Sequence, residues 1–225
     1  MSMKPILFNT EMVRAILDGR KTCTRRIVKP QQLVGLLPDK CRNGVPEEFL
    51  KEKKFMFKPY CDMTDIELIN TAYKAPYQPG DILYVRETWH KYLKRVGSGG
   101  NCRLQEFYGY RASIANSEDA EEPWKPSIHM PKEAARLFLR VTNVRVERLQ
   151  DITENGAKAE GAIDNRGFIH SPDNEYDRIH TAKENFIEIW NRTINKSNLD
   201  FYGWDANPYV WVIEFERCDK PESEE

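Results

Sequence analysis

No apolar run in this 225-residue chain approaches the ~18 residues that a membrane-spanning helix needs, so a membrane is not among its expected partners. The opening Met1-Ser2-Met3-Lys4-Pro5 lacks the apolar core of a secretory leader, which makes the cytoplasm the expected compartment. Cysteine is scarce: Cys23, Cys41, Cys61, Cys102 and Cys218 are odd in number, widely scattered and never in a Cys-x-x-Cys pair. This spacing indicates neither a zinc ribbon nor a disulfide framework, and reduced thiols are expected. His90, His129, His170 and His180 each stand alone, without the paired spacing of a zinc site, and neither a metal nor another cofactor is expected. Gly97-Ser98-Gly99-Gly100 is not followed by the lysine and hydroxyl of a phosphate loop. An excess of positive charge is also missing. With a net charge of −1, no global field draws the chain to nucleic acid, and any such contact has to come from a local patch. There is no internal repeat, and the only biased segment is the charged tail over 218–225.

What the chain does have is concentrated in Leu17-Asp18-Gly19-Arg20-Lys21-Thr22-Cys23-Thr24-Arg25-Arg26, with four cations and two threonine hydroxyls. An apolar helical pattern over Met12, Val13, Ile16 and Leu17 ends there. Gly19 suits the left-handed residue that closes a helix, because it has no Cβ to clash. The β-branched Thr22, Thr24, Ile27 and Val28 then favour a strand. Arg20 and Lys21 fall at the corner between the two elements, where side chains can converge on a ligand. A basic solvated turn is the plainer reading of the same residues.

The rest of the chain reads as a mixed α+β pattern. Pro5 to Phe8 is a short strand, and Asn9 or Thr10 caps the helix that ends at Gly19. Lys29-Pro30 stops regular pairing, and residues 31 to about 75 form an insertion of mixed character. Gln78-Pro79-Gly80-Asp81 fits a type II turn, with glycine supplying the positive φ. In the strand from Ile82 to Glu87 both faces start apolar and finish charged, which places Arg86 and Glu87 at an open end beside Trp89 and His90. A hairpin tip around Gly97 precedes a strand over Glu106 to Ala112, and Trp124 to Pro131 is an aromatic, proline-bounded segment of the kind that rims a groove. The longest extended run is Ala134 to Arg148, whose apolar parity slips at Thr142-Asn143 as a β-bulge requires. Asp151 or Thr153 caps a helix to Glu160 that Gly161 ends, and Asp177 to Asn191 is an amphipathic helix with Trp190 in the core. A final strand spans Tyr209 to Phe215.

Four pieces in this order resemble the ASCH family: Gly19-Arg20-Lys21-Thr22-x-Thr24-x-Arg26, Gln78 to Val85, the helix from Leu149 through Gly161, and the closing strand Val210 to Phe215. The length is similar to that of the long members found in phages and prophages. The resemblance implies a PUA-like mixed β-barrel with peripheral helices, one domain over 1–217 with the insertion at about 31–75. Characterised relatives include small amidohydrolases that remove an acyl group from the exocyclic amine of cytidine with a lysine, a threonine and a glutamate. By motif these positions fall on Lys21, Thr24 and Glu160. A threonine hydroxyl is a poor nucleophile until a base takes its proton, and a lysine becomes that base once burial lowers its pKa from about 10.4. Glu160 would donate to the departing amine or orient Lys21. Alternation along an ideal strand puts Lys21 and Thr24 on opposite faces, so Lys21 has to lie in the corner before pairing begins. Thr22 stays open as an alternative nucleophile, and Glu154, on the same helix as Glu160, as an alternative carboxylate.

Around this trio, Arg20, Thr22, Arg25, Arg26, Glu87, Trp89, Trp124 and His129 form the candidate substrate-binding set, and the implied partner is a nucleoside or RNA. A different class of function is a non-catalytic RNA or modified-base binder, with Arg20, Arg25, Arg26 and Lys29 on phosphates and Trp89, Trp124 or Tyr84 stacking on a base. A ribonuclease ranks last, since no clustered carboxylates at metal spacing are present.

Overall fold

The computed structural model describes residues 3–28, 70, 73–98, 102–113, 123–164 and 180–221. Lys29, nearly all of the 31–75 insertion, the hairpin tip over 99–101, His170 and the last four residues of the tail lie outside the described residues. The regular elements are β1 (Met3–Leu7), α1 (Thr10–Leu17), β2 (Cys23–Ile27), β3 (Ile82–Arg86), β4 (Trp89–Val96), β5 (Arg103–Tyr110), β6 (Phe138–Arg148), α2 (Glu154–Ala159), α3 (Ala182–Thr193), α4 (Leu199–Tyr202) and β7 (Tyr209–Cys218). The protein is therefore a mixed α+β chain. It divides into two compact units, one of Met1–Thr22, Pro79–Thr142 and Phe215–Glu225, the other of Cys23–Gln78 and Asn143–Glu214.

In the first unit β1 runs parallel to β3, from Met3 opposite Ile82 to Leu7 opposite Arg86, and β3 runs antiparallel to β6. The turn into β3 has the geometry its sequence demands, with Gly80 at φ +90° and Lys4 Nζ 2.6 Å from the Asp81 carboxylate. β4 and β5 form an antiparallel ribbon from Trp89 opposite Tyr110 to Val96 opposite Arg103. Its base packs into a core of Ile82, Trp89, Met130, Ala134, Ala135 and Phe138. His90 lies so close to Gly109 that a Cβ there would sit 1.9 Å from His90 Nε2. The ring is buried against Trp124, with centroids 4.5 Å apart, and has little room to yield. Gly109→Ala is expected to lower stability by about 1–3 kcal/mol, read as a shift in denaturant midpoint.

β6 starts later than its sequence predicts. Residues Lys132–Ala134 form a 3₁₀ turn after Pro131, closed by Ala134 N–H donating to Pro131 O, and pairing begins only at Phe138. The slip at Thr142-Asn143 is present within one continuous strand: Leu139 and Val141 are buried, both slip residues are exposed, and burial resumes on the other parity at Val146.

In the second unit β2 pairs antiparallel with β7, Cys23 opposite Glu214 and Ile27 opposite Val210, and β7 lies between β2 and β6. Thr153 caps α2 by accepting from Gly156 N–H, and Gly161 ends it at φ +93°. α3 starts at Ala182 rather than Asp177, because Thr181 and Glu184 close a full capping box there. Residues 165–179 lie outside the described residues. Glu154 accepts from the first backbone N–H groups of α3, at 2.8 and 3.2 Å, and is thereby committed to a helix start. Trp190 packs in the core with Phe186, Val210 and Val212, its Nε1–H donating to Tyr202 O at 2.8 Å. Among the described residues these pairings form no closed barrel, and no helix is long and apolar enough to cross a membrane.

Candidate functional site

The buried polar or charged residues among those described are Lys21, Thr24, Arg25, Glu87, His90 and Glu160. All but His90 belong to the candidate set read from the sequence. Burying such groups is costly unless they are paired, so each needs a physical account.

In the first unit, Asn9 caps α1 by accepting from Met12 N–H at 2.8 Å, and Gly19, at φ +74°, turns the chain back. The Arg20 and Lys21 N–H groups both donate to Ala15 O, at 2.9 and 3.0 Å. Lys21 thus sits in the corner, two residues before β2 begins, where strand alternation does not constrain it. Its side chain is 4% exposed, and Nζ lies 5.4 Å from the centre of the Phe8 ring. Arg20 points to the surface and pairs with Asp18 at 2.9 Å, and Thr22 is exposed.

Also in the first unit, Glu87 is 1% exposed rather than at an open rim, because both its oxygens take hydrogen bonds of 2.9 Å from Arg136. Arg136 donates further to Ser113 Oγ and covers the Tyr110 ring at 4.1 Å. Burial raises the Tyr110 hydroxyl above its ordinary pKa, and that hydroxyl donates to Ala134 O. Arg86 is likewise committed, to Met130 O and Ile128 O. Trp89 is a core residue whose Nε1–H is buried without an acceptor, while Trp124 is half-buried and His129 is exposed in the 3₁₀ turn Ser127–His129.

In the second unit, Thr24 is 2% exposed and its Oγ1 accepts from Arg26 Nη1 at 2.9 Å. Burial pulls the Arg26 guanidinium below its ordinary pKa, with Glu160 and Tyr77 opposing. Arg25 is held by two carboxylates, Nη1 donating to Glu160 at 3.2 Å and Nη2 to Glu147 at 3.3 Å, with Phe186 under the guanidinium at 5.9 Å. Its Nε–H is buried with no acceptor. The ladder continues outward: Arg145 donates to Glu147 and to Glu214, and Asn143 also donates to Glu214.

Sequence reasoning misses Glu147 and Arg145 altogether. Their signal is period-two alternation, Asn143-x-Arg145-x-Glu147, which puts alternating charge on one face of β6.

Burial alone pushes the Glu214 carboxyl up, but hydrogen bonds from Arg145 and Asn143, with the charges of Arg145 and Arg25, leave it below its ordinary value. A folded pKa below the unfolded one gives stability that is complete above the unfolded value and lost as pH falls through the folded value. Glu214 is 39% exposed, so solvent screening holds the gain under about 1 kcal/mol. The stability difference between wild type and Glu214→Gln should therefore close as pH drops below about 4, as followed by denaturant unfolding.

Cys23, Cys102 and Cys218 form no disulfide among the described residues, and Cys41 and Cys61 lie outside them. Among the described residues no cluster of histidine, cysteine and carboxylate side chains could hold a metal ion. No protein-family model, no curated protein and no solved structure matches this chain.

Proposed function

We propose that this protein is an ASCH-type, PUA-like protein that recognises a nucleobase or nucleoside and hydrolyses an acyl amide on the exocyclic amine of cytidine or a related nucleoside. The observation that carries the reading is the burial of Thr24 beside a guanidinium, on the strand that also presents Arg25 to buried Glu160.

In the inferred reaction, Thr24 Oγ attacks the acyl carbonyl carbon while its proton passes to a base, the role that the resemblance implies for Lys21. The bond from that carbon to the exocyclic nitrogen breaks, and the nitrogen leaves as the free amine with a proton returned from Lys21. Water then hydrolyses the threonine ester, releasing the carboxylate and restoring the hydroxyl. Arg26 Nη1, already donating to Thr24 Oγ1, stabilises negative charge on that oxygen as the proton leaves. Glu160, ion-paired with Arg25, is better suited to orienting a cation than to giving up a proton. Thr22 is exposed and Glu154 caps α3, so Thr24 and Glu160 are the preferred pair.

Phosphate binding by the Arg20–Arg26 stretch is less favoured, because Arg25 is buried between two carboxylates and Arg20 is paired with Asp18. The test is to give the purified protein acetylated cytidine and follow cytidine and acetate together. Equimolar release supports the reading, and intact substrate after prolonged incubation removes it.

A further inference from the structure

We propose that the β4–β5 ribbon is a binding arm for single-stranded nucleic acid, a function that does not depend on the hydrolytic reading. Alternation places Trp89, Lys91, Leu93 and Arg95 on one face and His90, Tyr92, Lys94 and Val96 on the other. On the first face Trp89 belongs to the core cluster, and Tyr108 and Tyr110 pack against it. The second face therefore turns away from that core. Along it the rings form a continuous run: Trp124 to His90 at 4.5 Å, His90 to Tyr92 at 5.5 Å, and Tyr92 stacked on Phe107 at 5.8 Å with 26° between the planes. Tyr92 is 36% exposed.

Beyond the rings, toward the tip, the same face carries Lys94 and Arg103, with Arg95 on the opposite side. Residues 89–110 hold four cations, Lys91, Lys94, Arg95 and Arg103, against the single carboxylate of Glu106, a formal +3 in a chain of net charge −1. Glu106 is taken by Lys91 at 3.1 Å. Lys94, Arg95 and Arg103 are exposed and form no ion pair among the described residues.

A ladder of aromatic rings ending in unneutralised cations is the chemistry that holds an unpaired strand. Bases, whatever their identity, stack on exposed Tyr92 and on half-buried Phe107 and Trp124, with buried His90 packed between Trp124 and Tyr92, and phosphates meet the cations. A duplex would offer the phosphates but keep its base faces hidden, so the single strand is the fitting occupant. This is also the local patch that a chain of near-zero net charge requires for any polyanion.

The test is fluorescence anisotropy of the full chain with labelled oligouridylate, oligothymidylate and a duplex of the same length, across a salt series. Wild type should retain a single strand, with log K falling against log salt by about 0.7 for each phosphate contact. Lys94→Ala with Arg103→Ala should flatten that slope by about 1.4. Tyr92→Ala should weaken binding at least about fivefold at fixed salt and leave the slope unchanged. Should Tyr92→Ala unfold, Tyr92→Leu keeps the apolar bulk and removes only the π face. Retention of RNA, DNA or both supports the proposal and identifies the strand. Preference for the duplex, no retention by wild type at low salt, or variants that bind with wild-type strength and slope would overturn it.

Discussion

Arg25→Ala is expected to destabilise the unit that carries it by about 3–5 kcal/mol, the range for breaking a buried ion pair by removing one partner. The guanidinium is 3% exposed and divides its charge between Glu160, itself 8% exposed, and Glu147. Its removal takes a hydrogen-bonded cation from the buried Glu160 carboxylate and takes away the group that Phe186 packs against. Glu160→Ala should cost less, about 3 kcal/mol, because Arg25 keeps Glu147 as a partner. The pair itself need not be stabilising, since well-packed apolar side chains often replace such groups without loss. Arg25→Met combined with Glu160→Leu should therefore regain most of the stability that either alanine variant loses. Urea unfolding of the three variants checks this. A double replacement no more stable than the less stable alanine variant would show that the pair contributes net stability over an apolar substitute.

Thr24→Ala and Lys21→Ala are each expected to lower the rate of acetylcytidine hydrolysis by roughly a hundred- to ten-thousand-fold. In the proposed mechanism, loss of the hydroxyl removes the attacking atom, and loss of the amine removes the group that carries its proton. Lys21→Arg should fare no better, because a guanidinium does not give up its proton near neutral pH. Thr24→Ala removes a neutral hydroxyl while Arg26 keeps Arg25 O as an acceptor, so its melting temperature should fall far less than its rate. Equal fractional losses of stability and activity would assign both residues a structural role only.

The parts of this fold that the sequence makes legible are those set by local chemistry. Gly19, Gly80 and Gly161 each take the positive φ that a helix end or turn requires, and Thr153 caps α2 through a contact three residues away. The parity slip at Thr142-Asn143 is local in the same sense. What the sequence leaves hidden depends on distant partners. Glu87 meets Arg136 49 residues later, and Arg25 meets Glu147 at a separation of 122, so neither the depth of Glu87 nor the role of Glu147 follows from spacing. The start of α3 is an intermediate case, since the Thr181–Glu184 box is local but competes with an apolar pattern that runs further back. Glu154 and Glu160 share one helix, and only the position of α3 separates the helix-capping carboxylate from the one that meets Arg25.

The most direct test of the proposed chemistry is peptide mass mapping of protein quenched with acid during turnover of acetylated cytidine. The mechanism predicts an acetyl ester on the peptide that contains Thr24, absent from Thr24→Ala. An acetyl group on Thr22 instead, or unchanged cytidine release by Thr24→Ala with no ester on the wild-type protein, would contradict it.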